Sequence, residues 1–253
     1  MEHTRHLEVL LAEGHRLASV PPEALDAPVP SVPGWTLEHV VRHTGKVHRW
    51  ATAALAEGPH ADMAEVSSRV TSLPHGADAL TAYAEALAGL HDMLSTLDPD
   101  EPAASFVGPV TARFWQRRQA HEVTVHRVDA ADAVHAAGGP APAPVPVDAA
   151  ADGIDEWAHV FLATRWQQRF GAFPANLEGR SVALLGADTD VGLVLAFDGG
   201  RVTVGEGAPT ADVTLRAPVE LLLLTLWRRR PLTSVEVVGD RSVAERLHEI
   251  AAF

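Results

Sequence analysis

The stretch that decides the fold of the first half of the chain is Phe114-Trp115-Gln116-Arg117-Arg118-Gln119-Ala120-His121-Glu122-Val123-Thr124-Val125-His126-Arg127-Val128-Asp129. It contains neither Gly nor Pro, so it predicts one unbroken helix. Side chains three and four residues apart share a face of a helix. That spacing places on one face Trp115, Gln119, Glu122, His126 and Asp129.

The pair Glu122 and His126 has the geometry of two ligands of a divalent metal, because both groups point the same way from a rigid support. The helical signature of metalloproteases needs two histidines four residues apart. Here His121 and His126 are five apart, about 140° around the helix axis. Glu122 is therefore interpreted as a ligand rather than a free general base, and a third ligand must come from elsewhere.

Three more amphipathic helices are predicted before this stretch, at about residues 3–19, 36–57 and 77–97. Four amphipathic helices within the first half of the chain predict a four-helix bundle. The second helix carries His39, His43, Lys46 and Trp50 on one face, which can oppose Glu122. We take His43 as the candidate third ligand; the alternatives are a hydrogen-bonded core histidine, or His39 as the ligand instead.

A proline- and alanine-rich stretch at residues 138–147 predicts an exposed linker between two domains, at residues 1–137 and 148–253. Beyond it we expect a fifth helix to about residue 168. After that helix, the spacing of the apolar residues changes from the helical period to the alternation of strands. Antiparallel strands are predicted at residues 181–185, 191–197, 201–204, 211–215 and 235–238, with helices at 218–228 and 241–251. This order is typical of a smaller α+β domain.

Composition excludes several classes of function. The formal net charge of −13 argues against nucleic acid or an anionic membrane as a partner. No apolar run reaches membrane-spanning length and the N-terminus lacks a signal peptide, so we expect a cytoplasmic protein, as a monomer or alternatively a homodimer. Cysteine is absent, so any thiol chemistry needs a cosubstrate. One lysine against nineteen arginines is typical of a high-GC genome such as that of an actinobacterium.

Two motifs carry a family resemblance. The pattern Val32-Pro33-Gly34-Trp35-Thr36 followed by His43, together with His121-Glu122-x-x-x-His126-Arg127-x-Asp129, resembles the mycothiol-dependent maleylpyruvate isomerase family of the DinB-like metalloenzyme superfamily. The segment from Ala151 to Trp157 resembles the start of that family's C-terminal domain, which is similar to sterol-carrier-like folds. The resemblance implies a DinB-like bundle that holds a metal, usually zinc, through His43, Glu122 and His126, with mycothiol as thiol cosubstrate.

From the resemblance we expect a divalent-metal-dependent thiol transferase or isomerase, in which a metal-bound low-molecular-weight thiol attacks a small electrophile. The candidate substrate-binding residues are Trp115, Arg118, Gln119, Asp129 and Arg229. Arg229 has an alternative role as a cation at a helix C-terminus, and Asp129 as the partner of a ligand histidine. Two other functions stay open: a non-haem Fe(II) oxygenase with the same two histidines and one carboxylate, and a non-catalytic metal-stabilised binding protein.

Overall fold

The chain folds into two compact units, Met1–Ala143 and Pro144–Phe253, in a computed structural model that describes residues 1–207 and 210–251. The boundary between the units falls inside the predicted linker at residues 138–147. Among the described residues, no helix combines the length and the apolar character that a membrane span requires.

Unit 1 is a helical bundle with one small hairpin. Its elements are, in chain order, α1 (His3–Ala18), α2 (Leu37–Glu57), α3 (Met63–Arg69), α4 (Asp78–Thr96), β1 (Pro102–Ser105), β2 (Gly108–Thr111) and α5 (Ala112–Ala136). The four long helices confirm the predicted bundle. The short helix α3 and the β1–β2 hairpin were not predicted, because elements of seven and four residues leave little periodic pattern in a sequence.

The helices of the bundle are in close contact. Helix α5 packs against α1 and α2, while α4 packs against α1 and α2. At one crossing, a Cβ added to Gly14 of α1 would lie only 2.6 Å from a methyl carbon of Leu87 in α4. The absence of a side chain at Gly14 therefore lets these two helices approach each other.

A buried ion pair ties α1 to α5. The guanidinium of Arg127 donates to the carboxylate of Glu13, and these side chains are only 3% and 1% exposed. Arg16 donates to the other oxygen of Glu13 at 2.6 Å, and Arg127 also donates to the carbonyl of Ala143 at 2.6 Å. Because each buried charge is compensated, breaking this pair from one side should be costly.

Unit 2 is an α+β domain, as predicted. A long helix comprises α6 (Val147–Glu156), a π-helical segment (Trp157–Trp166) and α7 (Gln167–Phe170). It is followed by β3 (Ser181–Gly186), β4 (Gly192–Asp198), β5 (Arg201–Glu206), β6 (Val213–Ala217), α8 (Val219–Leu226), β7 (Glu236–Gly239) and α9 (Arg241–Ile250). The sheet has the strand order β5-β4-β3-β6-β7.

One prediction about this sheet is wrong. The strands were expected to be antiparallel throughout, but β3 and β6 run parallel to each other. The chain leaves the β3–β4–β5 meander and crosses to the other edge of β3, which makes β6 a parallel neighbour. Local sequence patterns specify strands but not the side on which a crossover connection returns.

The proline- and alanine-rich stretch is less exposed than predicted at one position. Residues 139–146 have no regular secondary structure, and most of their side chains are accessible. Val145, however, is only 3% exposed, and its backbone N–H donates to the carboxylate of Glu220 at 2.9 Å. This end of the stretch is therefore anchored to α8 within unit 2.

Candidate metal centre

Three side chains from two helices of unit 1 come together. His43 comes from α2, and Glu122 and His126 come from α5. One oxygen of Glu122, Oε1, lies 3.3 Å from Nε2 of His43 and 3.3 Å from Nε2 of His126. One donor atom from each of the three residues lies within 4.8 Å of the other two. These are the three residues that the sequence nominates as metal ligands.

The spacing of these atoms fits a metal ion. A tetrahedral ion with bonds of about 2.1 Å holds its ligand atoms about 3.4 Å apart. The two distances of 3.3 Å from Glu122 match that value closely. Nitrogen and oxygen donors of this kind suit zinc and other first-row divalent ions, and three protein ligands leave a position for a further ligand.

Asp129 supports His126 from behind. Its Oδ2 lies 3.0 Å from Nδ1 of His126, and its Oδ1 accepts a hydrogen bond from Ser31 at 3.0 Å. The carboxylate of Asp129 is 0% exposed. A carboxylate on one ring nitrogen orients the imidazole and increases the basicity of the other nitrogen, which here is the one that faces Glu122.

Arg118 holds the second oxygen of the candidate carboxylate ligand, since its guanidinium donates to Glu122 Oε2 at 2.9 Å. Burial by itself would raise the pKa of Glu122. Hydrogen bonds and charge from His126, a hydrogen bond from His43 and the charge of Arg118 outweigh it, and hold that pKa well below its usual value. Glu122 is therefore ionised at neutral pH.

The imidazole of His126 lies in a strongly anionic environment. Its burial would lower its pKa, but its hydrogen bonds to Asp129 and Glu122, and the charges of these carboxylates, raise the pKa to about 9. Two carboxylates within hydrogen-bonding distance of one imidazole thus favour positive charge at this point of the bundle.

An aromatic ring covers the two histidines. The ring centre of Trp35 lies 5.0 Å from that of His43 and 6.0 Å from that of His126, and it is nearly parallel to the latter. His39, the competing candidate, has another partner, since its Nδ1 accepts the backbone N–H of Thr36 at the start of α2. On α2 it is therefore His43 that meets Glu122.

The residues around this centre differ in how far the sequence indicates their positions. Trp35 belongs to the family motif, and its place just before a helix start is typical of a hydrophobic contact at the helix entry rather than of a ring lying over His43 and His126. Ser31, which holds Asp129, carried no signal, because the two residues lie 98 positions apart. Such a contact exists only once the chain is folded.

Trp115 and Gln119, two further predicted substrate-binding residues, are fully buried in unit 1, as Asp129 is. The indole N–H of Trp115 donates to the carbonyl of Ala104 at 2.9 Å. The side-chain oxygen of Gln119 lies 2.8 Å from Nδ1 of His48, which is also fully buried. Burial lowers the pKa of His48 to about 4, against the opposing effect of this hydrogen bond, so His48 is neutral at physiological pH.

Arg229, the remaining candidate, belongs to unit 2 and follows the C-terminus of α8. Its backbone N–H donates to the carbonyl of Leu224 at 2.7 Å, and its guanidinium donates to the carbonyl of Trp227 at 2.9 Å. These bonds involve carbonyls at the end of α8, where a cation complements the helix dipole. Substrate binding by Arg229 stays a prediction, as it does for Trp115, Arg118, Gln119 and Asp129.

Comparison with known proteins agrees with the motifs. Residues 10–131 match the model of the mycothiol maleylpyruvate isomerase N-terminal domain. A search of curated proteins gave no match. Among solved structures, the crystal structure of the mycothiol-dependent maleylpyruvate isomerase and that of a histidine-to-alanine mutant of it are similar to this chain. Identities are 15% and 14%, TM-scores are 0.57 and 0.59, and each comparison covers 94% of this chain and 93% of the other.

A third structure, described as the UbiJ-SCP2 ubiquinone synthesis protein, aligns with 39% of this chain and 85% of its own at 26% identity. Its TM-score of 0.28 is too low to establish a shared fold. The likeness to the two isomerase structures concerns the fold, and the family model adds the sequence pattern of the bundle. Residues 10–131, which make up most of the N-terminal unit, therefore match the mycothiol maleylpyruvate isomerase N-terminal domain family.

Proposed function

We propose that the chain is a divalent-metal-dependent enzyme that uses a low-molecular-weight thiol, with mycothiol as the first candidate. The enzyme either transfers the thiol to a small electrophile or uses the thiol to isomerise that electrophile. The observation that carries the proposal is the convergence of donor atoms from His43, Glu122 and His126, with 3.3 Å between Glu122 Oε1 and each histidine. The family of the N-terminal unit supports the thiol as cosubstrate.

In this proposal the three residues hold zinc or another divalent ion. An ion held there would lower the pKa of a coordinated thiol, so that the thiol would lose its proton to solvent at neutral pH and be present as the nucleophilic thiolate. A free thiol, with a pKa of about 8.5, is mostly protonated there. The absence of cysteine from the chain is consistent with a thiol cosubstrate, because the protein supplies no thiol of its own.

The neighbouring residues have positioning roles. Asp129 holds Nδ1 of His126, so Nε2, the ring nitrogen that faces Glu122, is the one that would bind the ion. Arg118 holds Glu122 Oε2, so the opposite oxygen stays directed at the histidines. Trp35 covers the face of His126 and limits the access of water from that side.

The test combines metal analysis with turnover. Purified protein, stripped and then reloaded with zinc, is assayed with mycothiol against maleylpyruvate for isomerisation and against 1-chloro-2,4-dinitrobenzene for transfer. We expect one bound zinc per chain and turnover only in the zinc-loaded form. His126→Ala should lose both, whereas His60→Ala, a control at an exposed histidine outside the centre, should lose neither.

Other outcomes would redirect the proposal. Equal turnover by stripped and loaded protein would exclude the metal mechanism. Activity that requires Fe(II) and consumes oxygen would favour the oxygenase, which uses the same kind of ligand set. Tight zinc binding, with no thiol bound in a calorimetric titration, would indicate a non-catalytic binding protein.

A further inference from the structure

A cavity of about 290 Å³ lies beside α2 within unit 1. It is lined by His43, Lys46, Val47, Trp50, Ser67 and Val70. The four residues from α2 are three, four and seven positions apart from His43, so they form one face of that helix. His43 is also one of the three convergent donors, so the cavity adjoins the candidate metal centre on the His43 side.

Most of the cavity wall is apolar and firmly supported. Val47, Trp50 and Val70 contribute hydrocarbon surface. The ring of Trp50 packs edge to face against Trp115 at 5.3 Å and lies 6.0 Å from Phe106. An aromatic wall held by other aromatic rings offers a flat, preformed surface for a planar or aliphatic part of a ligand.

Lys46 introduces a charge into this wall. It is the single lysine of a chain whose formal net charge is −13. It is exposed, and it has no hydrogen bond or ion pair with any other residue that the structure describes. Arg118 and Arg127, by contrast, are already paired with Glu122 and Glu13. The ammonium group of Lys46 is therefore available to an incoming anion.

We propose that Lys46 binds a carboxylate of the electrophilic substrate and so selects small organic acids, while Val47 and Trp50 contact the rest of the molecule. The inference rests on the proposed function, since it takes the centre at His43 as the place of reaction. The volume sets the size of the ligand: about 290 Å³ is at the small end of the range for ligand cavities, roughly 300–1,000 Å³. A low-molecular-weight acid fits such a space.

The first experiment measures binding of succinate, a four-carbon dicarboxylate, to the zinc-loaded protein by calorimetry. Lys46→Met keeps the aliphatic stem and removes the charge, and we expect it to weaken binding about tenfold. Lys46→Arg should restore most of the affinity. Arg49→Met is the matched control, because it removes one cation from the same helix at a residue that does not line the cavity. It should leave the affinity unchanged.

The second experiment uses the unique lysine. Acetylation with N-hydroxysuccinimidyl acetate modifies Lys46 and the N-terminal amine, and peptide mass spectrometry quantifies each separately. Saturating succinate should slow acetylation of Lys46 at least fivefold and leave the N-terminal amine unaffected. Succinamide, the uncharged analogue, should protect neither. Both zinc-free and zinc-loaded protein are labelled. This separates two outcomes: a failure to bind zinc, which would refute the proposed function, and a failure of Lys46 to bind an anion, which would refute this inference.

If Lys46→Met and Arg49→Met weakened succinate binding equally, the inference would be overturned. The effect would then come from the overall charge of α2 and not from Lys46 in the cavity. Acetylation of Lys46 at the same rate with and without succinate, in both forms of the protein, would also overturn it.

Discussion

Replacing Asp129 with Asn should weaken zinc binding about 10–100-fold while the fold is kept. Asp129 is 0% exposed and uses both oxygens, one towards His126 Nδ1 at 3.0 Å and one towards Ser31 at 3.0 Å. Asn has nearly the same volume, so the change removes the negative charge without opening a cavity. The amide oxygen can still accept a hydrogen bond from Nδ1, but the imidazole loses the negative charge that makes Nε2 a better donor to the metal.

The expected loss corresponds to about 1.4–2.7 kcal/mol of binding free energy. The larger value is the more appropriate one here, because Asp129 is completely buried and water cannot replace its charge. Competition with a chromophoric zinc chelator measures the affinity at fixed pH and ionic strength. Circular dichroism and thermal unfolding of the zinc-free variant show whether the bundle is intact.

Ser31→Ala provides the control for this prediction. It removes the hydroxyl that donates a hydrogen bond to Asp129 Oδ1, but it leaves the hydrogen bond between the Asp129 carboxylate and His126. We expect less than about a fivefold change in zinc affinity, the equivalent of one hydrogen bond of about 1 kcal/mol. A folded Asp129→Asn variant that binds zinc as tightly as the original chain would refute the supporting role of Asp129.

Two further predictions concern stability. Arg127→Met should lower the free energy of unfolding by about 1.5–3 kcal/mol, because the buried carboxylate of Glu13 loses one of its two charged hydrogen-bond donors and keeps Arg16. Denaturant unfolding measures this, and a loss below about 0.5 kcal/mol would contradict it. Acidification from pH 6.5 to pH 4 should destabilise the protein by up to about 3 kcal/mol through His48, whose folded pKa of about 4 lies below the unfolded value of about 6.5. Unfolded chains bind more protons than folded ones in that pH window, so stability is lost as pH falls. The free energy of unfolding of His48→Asn should therefore depend less steeply on pH than that of the original chain.

The sequence predicted the bundle because its helices are long and bear a clear signal. Helix α5 extends over Ala112–Ala136 without Gly or Pro, and Gly58 ends α2 with a positive φ of 81°, as expected of a glycine after a helix. The spacing of Glu122 and His126 also follows from the helix alone, since four residues make about one turn. Local periodicity was sufficient for all of these predictions.

What only the tertiary structure decided are the contacts between distant segments. Periodicity could not tell which of His39 and His43 lies beside Glu122. In the folded chain His39 bonds to Thr36, while His43 meets Glu122, 79 residues away. The parallel pairing of β3 with β6 was equally invisible, since it depends on where a crossover returns. Helical and strand patterns repeat over a few residues. The convergence of distant side chains and the order of strands depend instead on packing between segments far apart in sequence, and such packing leaves no local signal.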